Sequence, residues 1–97
     1  MSVTIITHLH AAPGQEDVLA GLLSEGRDRM RAADGCESFE LLRDDQDPRS
    51  MVFHQCWASH EAHDAAFKER IVETGHIKQV LSAIDGPLVQ HAYQVVR

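Results

Sequence analysis

Seven histidines stand in a chain of 97 residues, and histidine is the side chain best suited to exchange a proton near neutral pH. His60 and His63 are three apart, the spacing that puts two side chains on one face of a helix. His8 and His10 are two apart, the spacing of one strand face. Either pair could hold a metal by residue type, yet neither HExxH nor a cysteine cluster at zinc-finger spacing accompanies them, and no metal site is expected. His63 and His76 are the candidates for acid/base work. Trp57, the one tryptophan, could wall a pocket by stacking on a flat aromatic molecule and is grouped with them. Phe39, Phe53 and Phe67 could line the same space, and Tyr93 could donate a hydrogen bond to a ligand. Cys36 and Cys56 are too few for a disulfide framework and read as free buried thiols of a reducing compartment.

These residues need elements to hold them. VTIITHLH, residues 3–10, is rich in β-branched types and is stopped by Ala-Ala-Pro-Gly, which predicts a strand and a turn. Its Val3, Ile5, Thr7 and Leu9 face is the more apolar and is expected to lie under helices. From about Gln15 to Ala33 the i, i+3, i+4 rhythm of Val18, Leu19, Leu22, Leu23, Gly26 and Met30 predicts a helix with one buried stripe. Its early acids and late arginines suit the helix dipole, and Gly35 can take the left-handed conformation after it. CESFELLR (36–43) and SMVFHQCW (50–57) read as strands around a polar turn, an antiparallel hairpin. Met51, Phe53, Gln55 and Trp57 then share one face. Whether Cys36 and Cys56, on neighbouring strands, could bond depends on the register.

Ser59 is a plausible N-cap for helix that runs through Ala62, Ala66, Phe67, Ile71 and Val72. It breaks near Thr74-Gly75 and resumes to Ile84, before Asp85-Gly86-Pro87. Leu88 to about Val96 reads as a fourth strand. The order β-α-β-β-α-β predicts an α+β, ferredoxin-like fold over a single domain, 1–97: a four-stranded antiparallel sheet with helices on one face. The other face must be solvated or covered, and a second copy is the expected cover.

Composition narrows the function classes. A net charge of −6 does not suit a nucleic-acid backbone or an anionic membrane surface, so neither partner is expected. No apolar run approaches the roughly 20 residues that span a bilayer, and the first residues lack the pattern of a secretory signal, so a cytoplasmic location is expected. GxGxxG, Walker and GxSxG motifs are missing, which leaves nucleotide, flavin and hydrolase readings without support.

Pro13-Gly14-Gln15-Glu16-Asp17, Ala33-Asp34-Gly35-Cys36-Glu37-Ser38-Phe39-Glu40-Leu41, Trp57 closing a strand, Glu61-Ala62-His63-Asp64-Ala65 and Gly75-His76-Ile77-Lys78 occur in an order and spacing that resembles the antibiotic-biosynthesis-monooxygenase family. The resemblance covers nearly the whole chain. It implies a dimeric α+β barrel, a homodimer through the sheet face, with a pocket in each subunit between sheet and helices. It further implies oxidation of a small flat aromatic or quinone-like molecule by oxygen, with no metal or flavin cofactor. A base would take a phenolic proton, and the electron-rich anion would pass an electron to oxygen. The alternative it leaves open is a non-catalytic, ligand-binding or stress-associated dimer. The chain departs from the family pattern at Phe53, where an Asn is common, at Gln55, where Glu is common, and at Ala66, where His is common. His63, one helical turn earlier, is the expected substitute. Thr7 and Ala66 stand where haem-degrading relatives carry Asn and Trp, which argues against haem and places Thr7 among the substrate-binding candidates.

Overall fold

A computed structural model describes residues 2–97. Strand β1 spans Val3–His10, helix α1 Glu16–Arg31, strand β2 Cys36–Arg43, strand β3 Ser50–Trp57, helix α2 His60–Phe67, helix α3 His76–Ser82 and strand β4 Val89–Tyr93. The strands form one antiparallel sheet in the order β2-β3-β1-β4, with the helices against one face. This is the ferredoxin-like α+β arrangement the element order predicts.

The period-two alternation of β1 sets the inside. Val3, Ile5, Thr7 and Leu9 are buried, while Thr4, Ile6, His8 and His10 point to the open face and are half-buried or exposed. Register carries the same division across the sheet. Ile5 lies opposite Gln55, Gln55 opposite Phe39, and Thr7 between Phe53 and Gln90. A bulge between Cys36 and Ser38 resets the β2–β3 pairing. It gives edge strand β2 one extra residue there and bends it locally.

Helix α1 lays Leu19, Leu23, Gly26 and Met30 on the sheet. The stripe is narrower than its apolar spacing predicts. Val18 is exposed, because successive helix positions are rotated by about 100° and Leu19, Leu23 and Met30 already define the buried centre. Gly35 adopts φ +87, and a Cβ there would stand 2.6 Å from the Ala62 Cβ, so this turn takes only glycine without rebuilding. Ser59 caps α2 by accepting a hydrogen bond from the Ala62 N–H at 3.1 Å.

Between α2 and α3 the chain does not stay α-helical to the break at Gly75. Lys68–Val72 widens into a π-turn, with the Glu73 N–H donating to the Lys68 carbonyl at 2.9 Å. Thr74 Oγ1 bonds back to the Arg70 carbonyl at 2.9 Å. Gly75, at φ 80, then starts α3 in a new direction. The fourth strand is shorter than the Leu88–Val96 reading. Its last pairing sets Tyr93 opposite Thr4, and β1 begins at Val3, so almost no partner backbone lies beyond.

Two apolar clusters fill the layer between sheet and helices. One gathers Val3, Ile5, Met30, Phe39, Trp57, Ala66 and Ile71. The other gathers Leu9, Leu19, Leu23, Met51 and Val80. Both cysteines are free and half-buried. No helix among the described residues is long and apolar enough to cross a membrane.

Candidate functional site

A cavity of about 50 Å³ lies between the clusters. Its floor is the inner face of the sheet, with Thr7, Phe39, Phe53, Gln55 and Gln90. Its roof is Met30 and Gly26 of α1, His63 and Phe67 of α2, Ile71 of the π-turn, and His76 and Ile77 of α3. No Lys, Arg, Asp or Glu lines it. The polar groups in it are therefore hydroxyl, amide and imidazole, set in an apolar surround where each hydrogen bond counts for more than in water.

His63 is 4% exposed. The cap at Ser59 fixes the start of α2, and one turn later this side chain points inward. Its Nδ1 lies 3.0 Å from Asp64 Oδ1. An ionised carboxylate only accepts, so Nδ1 carries the proton and Nε2 keeps its lone pair when the ring is neutral. The ring stands edge-on to Trp57, with centroids 5.5 Å apart, and stacks on Phe67 at 6.0 Å.

His76 is 2% exposed. Its Nε2–H donates to the Leu22 carbonyl at 2.9 Å. Its Nδ1 is buried without a partner, 4.0 Å from Glu25 Oε2. The ring comes this close to α1 because Gly26 is small: a Cβ there would stand 3.2 Å from His76 Nε2. The imidazole thus braces α3 against the backbone of α1.

Trp57 is fully buried and lies behind the cavity, not on its wall. Its Nε1–H donates to Gln55 Oε1 at 2.7 Å, so it acts on the cavity through Gln55 and through its edge contact with His63. On the other side of the floor Thr7 Oγ1 donates to Gln90 Oε1 at 2.8 Å. Phe39 and Phe53 meet edge to face at 4.8 Å.

Thr7, Phe39, Phe53, Phe67, His63 and His76 of the sequence-based set therefore come together around one cavity. Tyr93 does not. It is opposite Thr4 in register, lies on the open face and is 49% exposed. Gln90 and Tyr93 are three positions apart on the strand, an odd step, so the pleat sends them to opposite faces. His60, the i−3 neighbour of His63, is exposed, because three positions are about 300° of helical turn, enough to carry it off the narrow buried stripe. His8 is exposed on the open face, and His10 lies 3.2 Å from Asp47 at the β2–β3 turn. Among the described residues no three His, Cys, Asp or Glu side chains cluster as metal ligands would.

Gln55, Gln90 and Gly26 also line the cavity, although none is of a type that residue chemistry alone marks as a site candidate. Gln55 was signalled by its place on the strand face of Trp57 and by standing where relatives commonly carry Glu. Gln90 enters only through the β1–β4 register, and Gly26 only through the approach of α3.

The chain is thus a small ferredoxin-like α+β domain that encloses an apolar cavity under two inward histidines. Residues 2–79 match the family model of antibiotic biosynthesis monooxygenase, and the chain belongs to that family. No curated protein matches it in sequence. Among solved structures it is similar to Rv0793 from Mycobacterium tuberculosis, with TM-score 0.88 and 22% identity over 100% of this chain and 97% of the other. It is also similar to a Chloroflexus aurantiacus J-10-fl protein provisionally named an antibiotic biosynthesis monooxygenase, with TM-score 0.82 and 28% identity over 100% and 95%. A single-residue variant of SnoaB, a cofactor-independent oxygenase from Streptomyces nogalater, superposes with TM-score 0.84 at 14% identity over 99% and 94%. At that identity the likeness is one of fold.

Proposed function

We propose that the chain is a cofactor-independent monooxygenase for a small, flat, hydroxylated aromatic or quinone-like molecule. The observation that supports this most is His63, buried at an apolar cavity with Nδ1 held by Asp64 and Nε2 left as a proton acceptor. In this reading Nε2 takes the phenolic proton. The anion then passes an electron to molecular oxygen, and the dry cavity shields the intermediates. For an anthrone-type substrate the methylene carbon loses two hydrogens and gains one oxygen atom, and the second oxygen atom leaves as water. The substrate supplies the electrons. His76 has its Nε2–H committed to Leu22 and its Nδ1 sealed, so its part is to hold α3 in place above the ligand.

The cavity is far below the roughly 300–1,000 Å³ of sites that enclose small ligands. Binding therefore requires the half-buried rim, Phe53, Phe67, Ile77 and Leu88, to open. This small volume, with Phe53 and Ala66 apolar where relatives are often polar, favours a second reading: a dimeric module that binds such a molecule without turning it over.

Oxygen uptake with anthrone and with substituted quinols separates the two. Turnover that falls at least 100-fold in His63→Ala supports the first reading. Quenching of Trp57 fluorescence by the same compounds without oxygen uptake supports the second.

The working unit in this proposal is a cytoplasmic homodimer joined through the open sheet face. Ile6, Val52, Leu42, Val89 and Tyr93 lie on that face, the last three exposed. Covering them with a second copy would bury apolar area that one chain leaves in water.

A further inference from the structure

We infer that Gln55 is the group that stabilises the substrate oxyanion, that Trp57 is its positioning residue, and that the ligand enters uncharged and ionises at a single phenolic or enolic oxygen in the cavity. This deepens the proposed reading and rests on it.

The inference starts from what an indole can do. Its N–H only donates. At 2.7 Å from the Gln55 side chain, it must therefore face the amide oxygen, which fixes the orientation of an amide whose two ends look alike. Both side chains are buried, Trp57 at 0% and Gln55 at 2% exposure. With the oxygen turned to Trp57, the NH2 group is turned away from it, and Gln55 lines the cavity. None of the hydrogen bonds of the described residues uses that nitrogen, yet it is not among the buried atoms left sealed without a partner. A donor in this condition is open to the cavity and waits for an acceptor.

The acceptor's character follows from the rest of the lining. No lysine or arginine reaches the cavity, so a carboxylate, phosphate or other permanent anion would have no counter-charge there. A neutral phenol carries no such cost. When His63 Nε2 takes its proton, the negative charge appears beside an imidazolium and within reach of neutral donors only. Trp57 touches both partners, bonded to Gln55 and edge-on to His63. Trp57 thereby links the amide donor on the cavity floor to the proton acceptor in its roof. The titratable groups that face this end are His63 and, across the roof, His76, with Asp64 and Glu25 behind them.

The test uses 1,8-dihydroxyanthraquinone, whose visible spectrum separates phenol from phenolate, titrated with pH on the intact protein. Bound to the unaltered chain, its phenol is expected to ionise about one to two pH units lower than when bound to a chain that lacks the Gln55 amide donor, the effect of a hydrogen bond to a charged oxygen. Gln55→Glu can still accept from Trp57 but presents oxygen where nitrogen was, and should abolish the shift. Trp57→Phe keeps an aromatic in the core and frees the Gln55 amide to turn. It should lose most of the shift while binding persists. With a turned-over phenol, Gln55→Glu should lower kcat roughly 100- to 1,000-fold with little change in KM. Thermal melts identify a variant that fails to fold, and the other variant then decides. A bound probe whose ionisation is equally lowered in both folded variants overturns the inference and leaves the proposed function standing. A probe that does not bind the unaltered chain at all overturns both.

Discussion

Two glycines of α1 look equivalent in the sequence and are opposite in what surrounds them. A Cβ at Gly21 would meet nothing within 4 Å, whereas one at Gly26 would press on the His76 ring at 3.2 Å. Alanine gains about 0.5–1 kcal/mol over glycine inside a helix. Gly21→Ala should therefore raise the unfolding free energy measured by urea titration by that amount. Gly26→Ala should lower it by about 1 kcal/mol net, because pushing the ring off the Leu22 carbonyl costs about 1–3 kcal/mol. Equal shifts in the two variants would contradict the bracing role of His76. Cys36 gives a second residue-scale expectation. Burial, ahead of the opposing pull of Arg31, pushes its thiol above the ordinary 9.0. A raised acid favours the protonated form, so any stability it adds is present below that value and lost as pH rises through the folded one. Iodoacetamide at pH 8 should alkylate Cys36 more slowly than a cysteine in an unstructured peptide, and an equal rate would oppose the assignment.

At the scale of elements, the site depends on short pieces held at their ends. Helix α2 has eight residues, too few to be stable alone, and it carries His63. Its start rests on Ser59, and the turn before β2 fits against it only because Gly35 has no side chain. Ser59→Ala should cost about 1 kcal/mol in a denaturant titration. Ser59→Asp, which keeps a side-chain acceptor, should restore it, and a neutral Ser59→Ala would show that the core alone holds α2. The π-turn that follows has a physical role here. It shifts the phase of the helix so that Ile71 reaches the cavity while Thr74 closes the released carbonyls, the kind of local widening often found beside functional sites.

At the scale of the molecule, a 10.8 kDa chain leaves one sheet face and all of β4 exposed. If a second copy covers that face, light scattering at micromolar concentration will give twice the chain mass. Replacing exposed Leu42 and Val89 by lysine together should return the mass to that of one chain. A monomer before any substitution would end the dimer proposal.

Much of this architecture was legible in the sequence. The alternation in VTIITHLH, the stripe through Leu19, Leu23 and Met30 and the turns at Gly35 and Gly75 dictate which residues pair with backbone neighbours and which faces are apolar. Those are local consequences of residue type, and the family motifs are strung along them in order. What only the tertiary structure decided is which side chains share a space. His63 and His76 are thirteen positions apart and meet the same cavity because a π-turn and a left-handed glycine redirect the chain between them. Tyr93 falls on the far face and Gln90 on the near one through the register of β4 on β1. Gln55 became a donor because the Trp57 indole, buried beside it, can bond only to the amide oxygen. Orientation of that kind depends on contacts between distant segments, which no local pattern encodes.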